Sequence, residues 1–246
     1  VPDPAALELL TRDAWPAAES VPLGDWRLRA HHAITRRGNS AWTAAAAPEG
    51  WEEAVVEFYR ERGLPVRLQV GDATPAEVDR ALAAAGYVAE APTSVLTASA
   101  ADVLSRTEGR AHPALTPTVS TTVTSAWLDA YLTLEGFDES KRGVYGEIFG
   151  RLAGGFVLMR TADHPEPVAV ALGVPQGEWI GLSCLVVAES HRGRGLAGAT
   201  IRTLAETAPN SSIWLQVMDD NAPALGLYGK LGFTRAYGYH YRTLVH

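Results

Sequence analysis

Apolar side chains recur every second residue in some stretches of this chain and every third or fourth in others, and the two periods mark strands and helices. Trp26 to Ala33 sets Trp26, Leu28 and Ala30 against Arg27, Arg29 and His31, a strand signal. Pro48 to Arg62 gathers Val55, Val56, Phe58 and Tyr59 on one helical face and stops at Gly63. Val66, Leu68 and Val70 then alternate with Arg67 and Gln69 in a second strand. Thr74, followed by Pro75 and by Glu77 three residues on, has the spacing of a capping box for a helix that reaches Ala85. Gly86 ends that helix, and Tyr87 to Ala91 returns as a strand. Leu7 to Trp15 is a short helix opened by Asp3 or Pro4, residues 17–23 are a turn-rich connector, and Val95 to Ala98 is a further strand. The run 102–117, rich in Ala, Thr, Pro, Gly and charge, is the best linker.

Beyond it the pattern predicts a strand over 119–123 and a helix capped by Thr124 or Ser125 that carries Trp127, Tyr131 and Leu134. A second short helix spans about 144–151. Gly155 to Thr161 and Pro167 to Val174 are apolar strands separated by residues 162–166, a hairpin arrangement. Strand Trp179–Val187, helix Leu196–Thr207, strand Ser212–Met218, helix Asn221–Lys230 and strand Phe233–Leu244 complete the chain. The two halves echo one another. Leu68-Gln69-Val70 precedes a helix and Gly86-Tyr87; Leu215-Gln216-Val217 precedes a helix and Gly232-Phe233. The Val-to-Gly separations are 16 and 15 residues, which predicts a degenerate repeat. The domains expected are 1–105, a linker over 106–117, and 118–246.

Composition narrows the class. With 47% apolar and 20% charged residues in 246, the chain can bury a core. A net charge of −7 argues against broad nucleic-acid binding. The single cysteine, Cys184, permits no intrachain disulfide and suits a reducing compartment, so a cytoplasmic protein is expected. No apolar run reaches 18 residues, and Val1-Pro2-Asp3-Pro4 lacks the features of a signal peptide, so no membrane role is expected. His31 and His32 point to opposite faces of a strand, and the seven histidines make no ligand-spaced cluster with cysteine, so no metal site is expected. Cys184 lies mid-strand and reads as a small buried hydrophobe rather than a nucleophile. Trp26, Trp42, Trp51 and Tyr59 read as core.

The chemistry concentrates in two places. Arg192-Gly193-Arg194-Gly195-Leu196-Ala197 joins an apolar strand to an amphipathic helix, which aims backbone N–H groups at one point beside the positive end of the helix dipole. Glycines at 193 and 195 allow close approach of a phosphate or pyrophosphate. Farther on, Asn221 opens a helix that contains Tyr228 and ends in Leu231-Gly232-Phe233. The two motifs, in this order and each after a strand, resemble the GNAT superfamily of acyl-CoA-dependent N-acyltransferases over about residues 118–246. The doubled layout resembles a subgroup in which an atypical GNAT-like half precedes an active one.

That resemblance implies an α+β fold with a mixed, mostly antiparallel sheet flanked by helices, in two closely packed copies. It implies that the backbone of Gly193 to Ala197, with Arg192 or Arg194, holds the pyrophosphate of acetyl-CoA. Leu185, Val186 and Val187 would run beside the pantetheine arm where their strand splays from the next. The N–H of Leu185 or Val186 would polarise the thioester carbonyl. Asn221 and Ala224 would line the same arm, and Tyr228 would protonate the departing thiolate. The general base is open. Many members of the resembled family carry a glutamate six residues before the Val that ends the strand, and here that position is Gly181. Glu178 acting through water, His240 with its near-neutral pKa, or no dedicated side chain are the alternatives. Asp219 is placed to contact an amine or to cap the next helix, and Arg36 and Asn39 either line a substrate cleft or belong to a plain solvated loop. Only 13 residues follow Phe233, too few for the two-strand ending of many GNAT domains, so the sheet is a strand short or the region 92–98 lends one. The expected reaction is direct acetyl transfer to a primary amine on a small molecule or peptide, by a monomer or homodimer. Two other readings stand beside it: an acyl-CoA-binding module that no longer turns over, and a nucleotide-binding regulator of the doubly wound class, which would need parallel βαβ units.

Overall fold

The computed structural model describes residues 3–109, 115–162 and 164–245. It is a mixed α+β fold whose sheet is mostly antiparallel and flanked by helices. Two compact units divide the chain: residues 1–95, 217–221 and 235–246 form the first, and residues 96–216 and 222–234 the second. The boundaries therefore fall elsewhere than the positions 105 and 118 read from the sequence. Residues 110–114 of the expected linker and Asp163 of the expected hairpin turn lie outside the described residues.

In the first unit, Asp3 caps α1 (Pro4–Asp13) by accepting from the N–H of Ala5. The stretch expected as a connector instead forms β1 (Glu19–Leu23). It pairs antiparallel with β2 (Trp26–Ala30) across a turn at Gly24, whose φ of +57° suits glycine. Next come β3 (Ala41–Trp42), α2 (Trp51–Glu61), β4 (Arg67–Gly71) and α3 (Ala76–Ala84). Thr74 does not cap α3. Its hydroxyl accepts from the N–H of Gly71 and bonds to Thr43, and no side chain caps the helix. The two strands expected at 87–91 and 95–98 are one, β5 (Tyr87–Ser99), with Ala91 at a φ of +51° within it. The sheet order in this unit is β1-β2-β3-β4-β11, where β11 (Thr234–Leu244) runs antiparallel to β4. Trp26, Tyr59, Leu68 and Leu82 are almost fully buried between this sheet and its helices, so the aromatic set is core as expected.

In the second unit, residues 102–106 of the expected linker belong to a helix, α4 (Ala100–Arg106), capped by Ser99 through the N–H of Asp102. β6 (Leu115–Ser120), α5 (Ser125–Glu135, capped by Thr124), α6 (Arg142–Gly150), β7 (Gly155–Thr161), β8 (His164–Gln176), β9 (Trp179–Val187), α7 (Leu196–Thr207), β10 (Ser212–Met218) and α8 (Ala222–Lys230) follow. The order is β10-β9-β8-β7-β6, with β5 next to β10. β6 to β9 pair antiparallel throughout, which overturns the doubly wound reading. α5 and α7 both pack on β7–β9. Trp127 from α5 donates to the carbonyl of Val157 and meets Phe149 and Phe156 edge-on. Leu204 from α7 sits where a side chain at Gly155 or Gly173 would go. The order helix–strand–helix–strand read from the echo is present in both halves, as α2-β4-α3-β5 and α7-β10-α8-β11.

Candidate active site

The site is built on β9. Its parallel pairing with β10 runs from Trp179↔Ser212 to Leu182↔Leu215 and ends there, although β9 continues to Val187. On its other side β9 pairs with β8 at Val187↔Ala169 and Val186↔Val170, and the register then slips to Ser183↔Leu172. Cys184 and Leu185 thus stand opposite the single residue Ala171, a bulge in β9. Cys184 carries it with a φ of +53°, a left-handed conformation rare for a non-glycine residue. The consequence is a change in cover. Ile180 to Leu182 are buried, whereas Ser183 to Val187 are all half-buried, a mostly apolar ledge beyond the end of the pairing with β10. The hydroxyl of Ser183 is buried there without a hydrogen-bond partner among the described residues. Cys184 reaches Tyr131 of α5, and burial is the main cause that raises that phenol far above its ordinary value.

After β9 a single 3₁₀ turn (Glu189–His191) leads to Arg192, whose Nε donates to the carbonyl of Val187 at 3.3 Å. Gly193 and Gly195 follow at φ of +74° and +82°. Arg192 to Gly195 are exposed, and a Cβ at Gly193 would meet nothing within 4 Å. Gly195 is the N-cap of α7 and supplies no capping side chain, and the first turn holds no acidic residue. The first bond from α7 back to the cap is Ala199 N–H to Gly195 C=O, so the N–H groups of Leu196, Ala197 and Gly198 have no helical acceptor. Those donors, an uncompensated dipole end and two flanking arginines fit a pyrophosphate.

Gly198 faces Leu231, just past the end of α8. Tyr228 on α8 is 9% exposed, packs on Phe233 at 5.6 Å, and its carbonyl accepts from Phe233 N–H. Burial raises its phenol to about 12. Its hydroxyl makes no hydrogen bond among the described residues. Asn221 is exposed just before α8, and Ala224 is half-buried in its first turn.

At Gly181, where the resemblance puts a glutamate, a Cβ would lie 2.4 Å from Cζ2 of Trp214, its cross-strand partner. The indole, held by its N–H to Gln176, fills that position. Glu178 is exposed in the turn before β9. Six residues lie between it and Leu185, a run of about 20 Å over the seven steps at ~3.3 Å each. A base at Glu178 is therefore remote from a carbonyl held at Leu185 or Val186.

The other residues singled out in the sequence belong to the first unit. His240 Nε2 lies 3.1 Å from Asp79 Oδ1, and Arg242 grips both oxygens of the same carboxylate. The hydrogen bond from Arg242 is the main cause that holds Asp79 below the usual carboxylate range. Asp219 accepts from Ser94 at 2.6 Å, and with Asp79, Arg235 and His240 it lines a cavity of about 790 Å³. Sequence reasoning missed Asp79, which stands 161 positions from His240 and carries no local motif. Arg36 pairs with Glu90, and buried Asn39 uses its amide on the backbone of His31 and Thr35.

Residues 3–242 match the family described as "Probable histone acetyltransferase Rv0428c C-terminal". The chain belongs to that family. An uncharacterized N-acetyltransferase of Bacillus subtilis, YobR, is 35% identical over 240 residues, 96% of each chain. A GCN5-related N-acetyltransferase from Kribbella flavida has the same fold at a TM-score of 0.69, with 18% identity over 97% of this chain and 93% of that one. A tandem GNAT protein from the clavulanic acid biosynthesis pathway gives 0.68, with 14% identity over 98% and 88%. The fold is that of the GNAT superfamily, and family and fold together support an acetyl-CoA-dependent acetyltransferase activity.

Proposed function

We propose that the protein moves an acetyl group from acetyl-CoA directly to a primary amine, with the donor bound along β9 and the turn 192–197 of the second unit. The observation that carries this reading is the ledge Ser183–Val187, left half-covered where the β9–β10 pairing stops and leading into a glycine turn that opens α7 on N–H groups without helical acceptors. Acetyl-CoA supplies the activated acyl carbon. The turn N–H groups and Arg192 or Arg194 hold the diphosphate. The N–H of Leu185 or Val186, re-aimed by the bulge, polarises the carbonyl as negative charge grows on its oxygen. The amine nitrogen bonds to the carbonyl carbon, the carbon–sulfur bond breaks, and Tyr228 donates to the sulfur as it leaves. A phenol near 12 is fully protonated at neutral pH and is a hydrogen-bond donor to the developing thiolate more than an outright acid. With Trp214 over Gly181 and Glu178 remote, the amine loses its proton to water or to a group on the acceptor. The first half is a degenerate copy without the glycine turn. The family's description favours an amine on a basic peptide, which suits a net charge of −7.

One observation favours a second reading, acyl-CoA binding without turnover: the closed Gly181 position. Thiol release from acetyl-CoA, followed with a thiol reagent across a panel of small amines and lysine peptides, separates the two. Transfer predicts amine-dependent release, with kcat lowered about 100-fold and KM for acetyl-CoA little changed in Tyr228→Phe. Binding that yields no amine-dependent release from any acceptor overturns it.

A further inference from the structure

A cavity of about 350 Å³ lies in the first unit, away in sequence from every residue of the proposed donor site. Arg12, Trp15, Ser20, Arg27 and Arg29 are among the residues that line it. Arg27 and Arg29 alternate with Leu28 on β2 and so share one face of the strand, and Ser20 of β1 stands opposite Arg29.

Arg29 is the unusual member. It is 3% exposed, yet no carboxylate among the described residues pairs with it. Nε donates to the carbonyl of Ser40, and one terminal nitrogen donates to the Ser40 hydroxyl and to Gln69 Oε1, all neutral acceptors. The other terminal nitrogen, Nη1, makes no hydrogen bond among the described residues, and Arg29 lines the cavity. A buried guanidinium normally brings an anion with it, because neutral acceptors replace only part of its hydration. Here burial pulls its pKa down, and Arg12 nearby pulls in the same direction. Arg12 is paired with exposed Asp13 and lies over the Trp42 ring. Arg27 uses Nη1 on the carbonyls of Gly24 and Trp26 and keeps its other donors. With three arginines and Asp13 as the lone acid on its wall, the cavity is cationic.

We infer that this cavity is a binding site for a small oxyanion, a carboxylate or a phosphate, received by Nη1 of Arg29 with Arg27 and the Ser20 hydroxyl at the mouth. Nη1 carries two N–H donors, and the charged oxygens of a carboxylate or a phosphate accept such charge-assisted bonds. Trp15 and Pro16 offer an apolar wall to whatever organic group the anion carries. The site is independent of the acetyl-transfer reading.

The test is calorimetric titration of the full chain with inorganic phosphate and, separately, with succinate, at constant ionic strength set by chloride. Saturable one-to-one binding of either probe is expected, and the tighter probe identifies the class. Arg27→Ala should weaken it about tenfold, and Arg29→Gln should abolish it. If Arg29→Gln does not fold, the half-exposed Arg27 variant still decides. No saturable binding of either probe overturns the inference. So does binding that both variants retain but Gly195→Trp loses, since that anion sits at the turn of the second unit.

Discussion

Glu8 should make the protein less stable as pH rises through neutrality. It lies on α1, 1% exposed, with Oε1 accepting from the N–H of Ala73 at 3.3 Å and pressed against Gly71. Burial is the main cause that raises its carboxyl from 4.5 to about 7, and the nearby charge of Asp72 adds to it. A carboxyl raised on folding favours the folded state fully below its unfolded value, and that contribution is lost as pH climbs through the folded one. A difference of about 2.5 units at ~1.36 kcal/mol each is about 3 kcal/mol between roughly pH 4 and pH 8. Glu8→Gln keeps the shape and removes the titration. Urea unfolding of both proteins across that range should show the wild type losing about 3 kcal/mol more than the variant. Parallel pH profiles, or a wild type that gains on the variant as pH rises, would refute the reasoning.

Substitutions at three further positions probe the geometry. Gly181→Ala drives a methyl into the Trp214 ring and should cost about 1–3 kcal/mol in thermal unfolding, with Gly181→Glu costing more and raising no activity above that of the wild type. Cys184→Val puts a β-branched residue at a φ of +53° and should cost about 1–2 kcal/mol or more, while Cys184→Gly should be tolerated in the same assay. Asp79→Asn removes the shared acceptor of Arg242 and His240; because that carboxylate is a third exposed, chemical denaturation should show a loss of only about 0.5–1 kcal/mol.

Local signals were legible. The strand, glycine turn and helix at 179–207 follow the sequence pattern closely, with α7 bounded as expected, because Gly193 and Gly195 fix the turn through their own backbone angles. The Thr124 cap was equally readable. Signals that depend on distant partners were not. Thr74 has capping-box spacing, yet Thr43 and the Gly71 N–H compete for its hydroxyl and win. β1 was hidden by its edge position and by Pro22, which reads as a turn residue but is tolerated on an edge strand. α4 was hidden because it is short and its composition is that of a linker; its packing on α7 holds it. The absence of glutamate at 181 was visible, but its reason, the indole of Trp214 across the strand pair, requires the register. The anion-seeking arginine on β2 looked like an ordinary outward polar residue in an alternating strand, since alternation shows which face a side chain takes and not whether that face is covered.

Calorimetric titration with acetyl-CoA, of the wild type beside a folded Gly195→Trp variant, tests the central claim most directly. Saturable one-to-one binding by the wild type that the variant loses is the result expected of a donor site at residues 192–197. No binding by the wild type, or equal binding by both proteins, would contradict it.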